Sequence, residues 1–196
     1  MEVETMSELI PEINERRARR ALSEKEIPGD VVLRIMTAAT YAPSCNNNQS
    51  WRFLVVTEEQ PLIRIREALA GGNYWAKKAP VMVAVATKLD LDARLSDRRD
   101  YALFDCGLGT ENLMLQAIKE GLYAHPMAGF DPLKVKEAFQ IPDEFIVITL
   151  VALGYPGDSS HLSEKHQASE ESQRARKPES EVICYNSWGF EPPKKD

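Results

Sequence analysis

The chain has 196 residues and a mass of 22.1 kDa, with 43% hydrophobic and 28% charged residues. That balance excludes disordered, collagen-like and disulfide-dense chains and fits one domain with residues to spare. The net charge of −6, from 24 basic and 30 acidic residues, argues against a nucleic-acid partner, which calls for a basic face. The cysteines Cys45, Cys106 and Cys184 form no C-x-x-C pair, and His161 and His166 lack the spacing that sets two ligands on one helical face. Neither a disulfide framework nor a metal centre is expected. Met1 to Pro11 is acidic and lacks the basic-then-apolar order of a signal peptide. No apolar run approaches the roughly 18 residues of a membrane span. The expected location is the cytoplasm, without a membrane partner.

Ser7 to Leu22 reads as a helix with Leu9, Ile10 and Ile13 on one face, ending in Arg16-Arg17-Ala18-Arg19-Arg20. On that reading Arg16 and Arg20 share a face. Asp30 is the expected N-cap of a largely buried helix through Val31, Leu33, Ile35, Met36, Ala38 and Ala39 that stops at Ala42-Pro43. Ser44 to Ser50 is an asparagine-rich loop, and Trp51 to Thr57 a strand. Pro61 to Ala70 reads as a helix closed by Gly71-Gly72, and Val81 to Thr87 as a buried strand. Asp100 to Lys119 is the longest helix and is apolar nearly all round, which places it in a core or at a subunit interface. His125 to Phe130 reads as a glycine-containing turn, Asp131-Pro132 as a helix start, and Phe145 to Leu153 as a third strand. Residues 158–181 are a polar excursion, after which apolar residues return at Val182, Ile183, Tyr185, Trp188 and Phe190. Such a tail docks on its own domain or on another chain. The loose alternation of elements indicates α+β architecture in a single domain spanning 1–196.

Four segments could carry chemistry. The Arg16–Arg20 run places four guanidinium forks in five residues. Its readings are a phosphate grip, a solvated helix end or a basic targeting patch. Pro43 to Trp51 offers Asn and Gln amides, which suit a flat heterocycle or an ordinary Asx turn. Pro126 to Asp131 holds small residues that admit a planar ligand or simply enter a helix. Arg174-Ala175-Arg176-Lys177 is a second basic cluster, a binding element or solvated charge. There is no Walker loop, no Ser–His–Asp order and no G-x-G-x-x-G fingerprint, and no paired carboxylates stand out. A chain with gripping groups and no obvious catalytic side chain suits a cofactor that carries its own chemistry.

Taken in order, these segments resemble the FMN-dependent nitroreductase family. The resemblance rests on Arg16 to Arg20, Ile27-Pro28, Ala42-Pro43-Ser44-x-x-Asn47-x-Gln49-x-Trp51-Arg52-Phe53, Gly72-Asn73-Tyr74 with Ala79-Pro80, Glu111 to Ala117, Pro126 to Asp131, Leu153 to Pro156 and Arg176-Lys177-Pro178. It implies an α+β fold with a mixed sheet flanked by helices, in an intertwined homodimer with FMN at the interface. By resemblance Arg16, Arg17, Ala18 and Arg20 line the FMN site, with Arg20 nearest the pyrimidine edge, and Arg174 and Arg176 complete the phosphate grip. Pro43, Ser44, Cys45, Asn47 and Gln49 come from the other subunit. Met127, Ala128 and Gly129 lie on the N5 side, and residues 182–196 embrace the partner. No catalytic side chain and no metal is assigned. The implied activity is NAD(P)H-dependent reduction of nitroaromatic, quinone or similar small-molecule acceptors by ping-pong hydride transfer, with NADH or NADPH as donor. The alternative is an FMN-binding storage, sensing or regulatory protein with little turnover. In two places the chain departs from the family: Ala18 stands where a serine is common, removing a hydroxyl contact, and Ser50 stands where a proline is common. The family's lid lies between the second strand and the long helix; here the connection from Lys88 to Arg99 is short and charged.

Overall fold

The computed structural model describes residues 9–190. Six α-helices and four strands follow in the order α1 (Pro11–Glu15), α2 (Gly29–Thr40), β1 (Arg52–Val56), α3 (Glu59–Glu67), β2 (Val81–Thr87), α4 (Tyr101–Lys119), β3 (Tyr123–Met127), α5 (Pro132–Phe139), β4 (Ile146–Gly154) and α6 (Glu164–Glu171). The strands form one sheet in the order β1-β2-β4-β3.

Alternation along β2 explains the layering. Val81, Val83 and Val85 face α2 and α4, while Met82, Ala84 and Ala86 face α3, α5 and the 3-10 stretch Gly71–Lys78. β4 splits in the same way, with Val151 and Leu153 on the first side and Leu150 and Ala152 on the second. Both central strands are thus covered on both faces, which is why they read as nearly continuous apolar runs. The small alanines of the second face leave room for Trp75, which is almost wholly buried. Each large apolar side chain removed from water here contributes roughly 1.5–3 kcal/mol. The α+β class holds.

The expected mixed sheet does not: among the described residues every strand pairing is antiparallel. β2 and β3 run in the same direction, but β4 inserts between them, so neither gains a parallel neighbour.

Local expectations divide similarly. Asp131 caps α5, its carboxylate accepting from the N–H groups of Leu133 and Lys134 at 3.0 and 3.2 Å. α4 spans nearly the expected range. Asp30 is not an N-cap: α2 begins at Gly29 with Pro28 before it, and the Asp30 carboxylate instead meets Arg34 at 2.8 Å. α3 stops at Glu67, before the glycine pair, which opens the 3-10 stretch. The expected turn from His125 to Phe130 begins as strand: Pro126 and Met127 pair with Val151 and Leu150. β3 is an edge strand, where a proline's missing N–H leaves no ladder bond unmade.

The helix expected from Ser7 to Leu22 is one and a half turns, Pro11–Glu15, and Met1 to Glu8 lie outside the described residues. Arg16 turns the backbone to φ −58°, ψ 121°, and the run continues through two tight turns, with the Arg19 N–H donating to the Arg17 carbonyl and the Leu22 N–H to the Arg20 carbonyl, both at 2.9 Å. The residues just after it pair with those just beyond β4: Leu22 is bridged to Pro156, and the Ser23 N–H donates to the Tyr155 carbonyl at 2.8 Å. Gly157 permits that approach: a Cβ there would lie 2.6 Å from backbone atoms of Leu22 and Ser23. The polar excursion also has an anchor, since Leu162 is buried in the core beneath α6. No helix among the described residues is long and apolar enough to cross a membrane.

Candidate functional site

The arginine run and the second basic cluster form one cleft. It encloses about 230 Å³ and is lined by Arg16, Arg17, Ala18, Arg19, Ser169, Arg174, Ala175 and Arg176. Arg174 builds its floor. Its guanidinium donates to the carbonyls of Ile13, Asn14 and Arg16 at 3.1, 2.7 and 2.5 Å, satisfying the end of α1 with a cation. This explains why the helix ends there: its last carbonyls are taken by a residue from the far end of the chain.

The charges in this cleft are incompletely balanced. Arg16 meets Glu111 at 3.3 Å and Arg19 meets Glu170 at 3.9 Å. Arg17 donates to the carbonyl and hydroxyl of Ser172. Arg176 donates to the Ala175 carbonyl at 2.7 Å. Among the described residues neither Arg17, Arg174 nor Arg176 has an acidic partner. Burial, and then the neighbouring Arg176, Arg16 and Arg17, hold the Arg174 guanidinium below its ordinary value. A dianion with oxygens toward these forks would relieve that repulsion.

Arg20 is displaced from the cleft wall. Its guanidinium donates to the Ser169 hydroxyl at 3.3 Å and lies 5.9 Å from the centre of the Trp75 ring. Its backbone N–H donates to Glu170 at 2.9 Å. The expectation that Arg16 and Arg20 share a helix face therefore fails, because α1 stops at Glu15. Behind Trp75 sits His125, with ring centres 4.4 Å apart and His125 Nδ1 3.0 Å from the Arg19 carbonyl. Burial pulls the His125 imidazole down to about 4, so it is neutral at pH 7 and donates from Nδ1.

Met127, Ala128 and Gly129 follow at the end of β3. Met127 is buried, whereas Ala128 and Gly129 are exposed. The Gly129 carbonyl accepts from the Ala70 N–H at 3.0 Å and from the Asn73 amide at 2.8 Å. A Cβ on Gly129 would approach the Asn73 nitrogen to 2.9 Å, so a side chain here would displace the Asn73 amide from the Gly129 carbonyl. The Gly129 N–H makes no hydrogen bond among the described residues.

The asparagine-rich loop lines a different region. Asn46, Asn47 and Gln49 are left-handed, with φ of 50°, 58° and 49°. Asn tolerates this conformation better than most residues, Gln less so. The loop is fastened from within: the Gln49 N–H donates to the Ser44 hydroxyl at 3.0 Å and the Cys45 N–H to Asp105 at 2.8 Å. Asn48 and Ser50 donate to Asp92 at 3.0 and 3.1 Å. Asp92, from the Lys88 to Arg99 connection, and Asp105, from α4, thus hold this loop from two sides, and both are buried.

The structure thus gathers Arg16, Arg17, Ala18, Arg174 and Arg176 in one cleft and sets Arg20 beside it. Pro43, Ser44, Cys45, Asn47 and Gln49 do not line this cleft. Sequence reasoning did not assign Arg19, Ser169 or Asn73 to the site. Asn73 stood within a quoted motif; Ser169 had no signal within its polar stretch. The tail from Val182 to Trp188 remains exposed, with Tyr185 and Trp188 at 80% and 84%, and Trp188 packs edge-on against Phe190 at 4.8 Å. Among the described residues it does not dock on its own domain; the rest of the expected arm, 191–196, lies outside them.

Comparison with known proteins gives a consistent result. The nitroreductase family model matches residues 13–73 and 63–155. A protein of Archaeoglobus fulgidus, provisionally named an NADH dehydrogenase/NAD(P)H nitroreductase, is 31% identical over 81% of this chain and 91% of its own. The NADH dehydrogenase of Thermus thermophilus is 30% identical over 76% of this chain and 87% of its own. A crystal structure of an oxidoreductase containing FMN superposes with a TM-score of 0.84, at 29% identity over 96% of each chain.

Proposed function

The chain belongs to the nitroreductase family, and on that premise we propose that it is an FMN-dependent oxidoreductase that takes electrons from NADH or NADPH and reduces nitroaromatic, quinone or similar acceptors in a ping-pong cycle. The observation that carries this reading is the convergence of Arg16, Arg17, Arg174 and Arg176 on one cleft. Unbalanced guanidinium forks suit a phosphate monoester better than a neutral ligand.

FMN, when bound, supplies the hydride chemistry itself, taking two electrons from the nicotinamide and passing them to the acceptor. The protein's part is binding, orientation and electrostatics. Arg16, Arg17, Arg174 and Arg176 hold the phosphate. Ala18 lets the backbone approach without offering a hydroxyl. Arg20, steadied by Ser169 and Trp75, places a cation near the pyrimidine edge, where negative charge develops on reduction. The free N–H of Gly129 faces the N5 side, its peptide fixed by Asn73. Pro43, Ser44, Cys45, Asn47 and Gln49 of a second copy cover the remaining edge, which makes the homodimer the functional unit. The exposed tail embraces that copy.

Reconstitution with FMN tests the reading. The expected result is a yellow dimeric protein with a flavin spectrum that, without oxygen, oxidises NADH or NADPH beyond one equivalent per flavin only when a quinone or nitroaromatic is added. Tight FMN binding without turnover on any acceptor would favour a storage or sensing role.

A further inference from the structure

We propose that Tyr74 and His166 are a positioning pair that fixes α6 against the arginine run and so holds Arg20 in place beside FMN. The inference rests on the reading above that Arg20 borders the pyrimidine edge of the flavin and Gly129 its N5 side.

Apolar packing does not hold α6 where it lies. None of its residues is buried, and only Leu162, just before it, reaches the core. Among the described residues, the side-chain bonds that tie α6 to the rest of the chain go to two places, the arginine run and Tyr74. Arg17 donates to Ser172, which follows the helix. Arg19 pairs with Glu170 at 3.9 Å, and Arg20 bonds Ser169 at 3.3 Å and Glu170 at 2.9 Å. Those contacts come from the residues that α6 is to hold, so a fixed point elsewhere is needed. Tyr74 supplies it. Its hydroxyl accepts from the N–H of Ser163, the residue before α6, at 2.7 Å and lies 3.1 Å from His166 Nδ1. Its ring stacks on the imidazole, with centres 5.6 Å apart and planes inclined by 18°.

Donor count sets the proton positions. The Ser163 N–H can only donate, so the phenol oxygen accepts it. Among the described residues His166 Nδ1 is then the acceptor for the phenol hydrogen, which makes His166 a neutral ring with its hydrogen on Nε2. Burial, and then the charges of Arg20 and Lys165, lower the imidazole from its ordinary value against the pull of Glu170, in keeping with that neutral form. His166, Ser169 and Glu170 stand at i, i+3 and i+4 on α6 and share one face. The ring that meets Tyr74 is therefore one turn from the groups that meet Arg20.

Tyr74 is also tied to the other side of the site. Asn73 before it donates to the Gly129 carbonyl at 2.8 Å, and Trp75 after it lies 5.9 Å from the Arg20 guanidinium. Three consecutive residues of the Gly71–Lys78 stretch thus touch the N5-side peptide, α6 and the cation. Through Tyr74 and His166, α6 and Arg20 keep register with Gly129.

Three substitutions test the pair. Tyr74→Phe keeps the ring and removes the hydroxyl. His166→Leu removes the acceptor, and His166→Asn returns an amide oxygen near the Nδ1 position. Flavin fluorescence reads the affinity for oxidised FMN, and the reduction potential of bound against free FMN reads the ratio of reduced to oxidised affinity. A cation held at the pyrimidine edge favours the reduced flavin. Tyr74→Phe and His166→Leu should therefore each weaken reduced FMN about three- to tenfold more than oxidised FMN. His166→Asn should stay within about twofold of wild type, and combining Tyr74→Phe with His166→Leu should add nothing to either alone. An equal loss for both redox states marks a merely structural contact and overturns the proposal. Additive losses, or an Asn variant as poor as the Leu variant, also overturn it. Proton–nitrogen NMR correlation of the FMN-free protein reads the pair without the cofactor. The wild type should show an unprotonated His166 Nδ1 whose resonance shifts in Tyr74→Phe; a protonated Nδ1, or an unshifted resonance, overturns the pair. A wild type with the expected Nδ1 signal that binds no FMN refutes the functional reading, and the positioning role with it, and keeps Tyr74 and His166 as a clamp on α6.

Discussion

The guanidinium of Arg174 donates to the backbone carbonyl of Arg16 at 2.5 Å, joining residues 158 apart in sequence. One basic cluster is thereby the scaffold of the other. Arg174 commits three of its donors to carbonyls and keeps fewer for a ligand than Arg176, which donates only to its neighbour Ala175. Arg174→Ala should lower the melting temperature of the FMN-free protein and weaken FMN by roughly 10- to 100-fold. Arg176→Ala should weaken FMN by about tenfold and leave that melting temperature unchanged. Calorimetry and flavin titration of the two variants check the split.

His125 contributes to the acid sensitivity of the fold. Its folded-state value of about 4 lies below the ordinary 6.5, so the unfolded chain binds the proton more readily. Its contribution is complete above pH 6.5 and is lost as pH falls toward 4. The loss amounts to roughly 3 kcal/mol. His125→Gln removes the titrating ring and should flatten this part of the stability profile, measured by chemical denaturation at several pH values.

Much of the fold was legible because it is local. Asp131-Pro132 announces α5 through cap chemistry, and β2 announces its burial on both faces through an unbroken apolar run. The misreadings came from distant partners. Arg16 to Arg20 have good helix propensity, but Arg174 takes the carbonyls that would carry the helix onward. Pro126 punctuates a turn in most settings, yet β4 recruits it as an edge strand. The anchoring of the Ser44–Ser50 loop by Asp92 and Asp105 had no signal, since both lie far along the chain and only folding brings them to it. The basic clusters were visible as clusters; that they share one cleft was not derivable from charge patterning.

Ala18 offers a gain-of-contact test. It lines the basic cleft, where a serine hydroxyl could reach the bound cofactor. Ala18→Ser should tighten FMN by about 1 kcal/mol, or roughly fivefold. Equilibrium titration against wild type measures it.

Trp188, Tyr185 and Val182 expose large apolar surface on the tail, at 84%, 80% and 56%. Several large apolar side chains exposed on one short segment mark an interaction surface. Trp188→Glu should shift the dimer toward monomer in sedimentation velocity, and FMN affinity should fall with it, because the site needs the loop of a second copy.

The central claim is electron flow from a reduced nicotinamide to the acceptor through FMN held by these arginines. Anaerobic stopped-flow mixing of the FMN-loaded protein with NADH and with NADPH tests it most directly. The account predicts that at least one nucleotide bleaches the flavin absorbance rapidly, that a quinone added afterwards restores it, and that Arg20→Ala slows the first step. A flavin that neither nucleotide bleaches would contradict it.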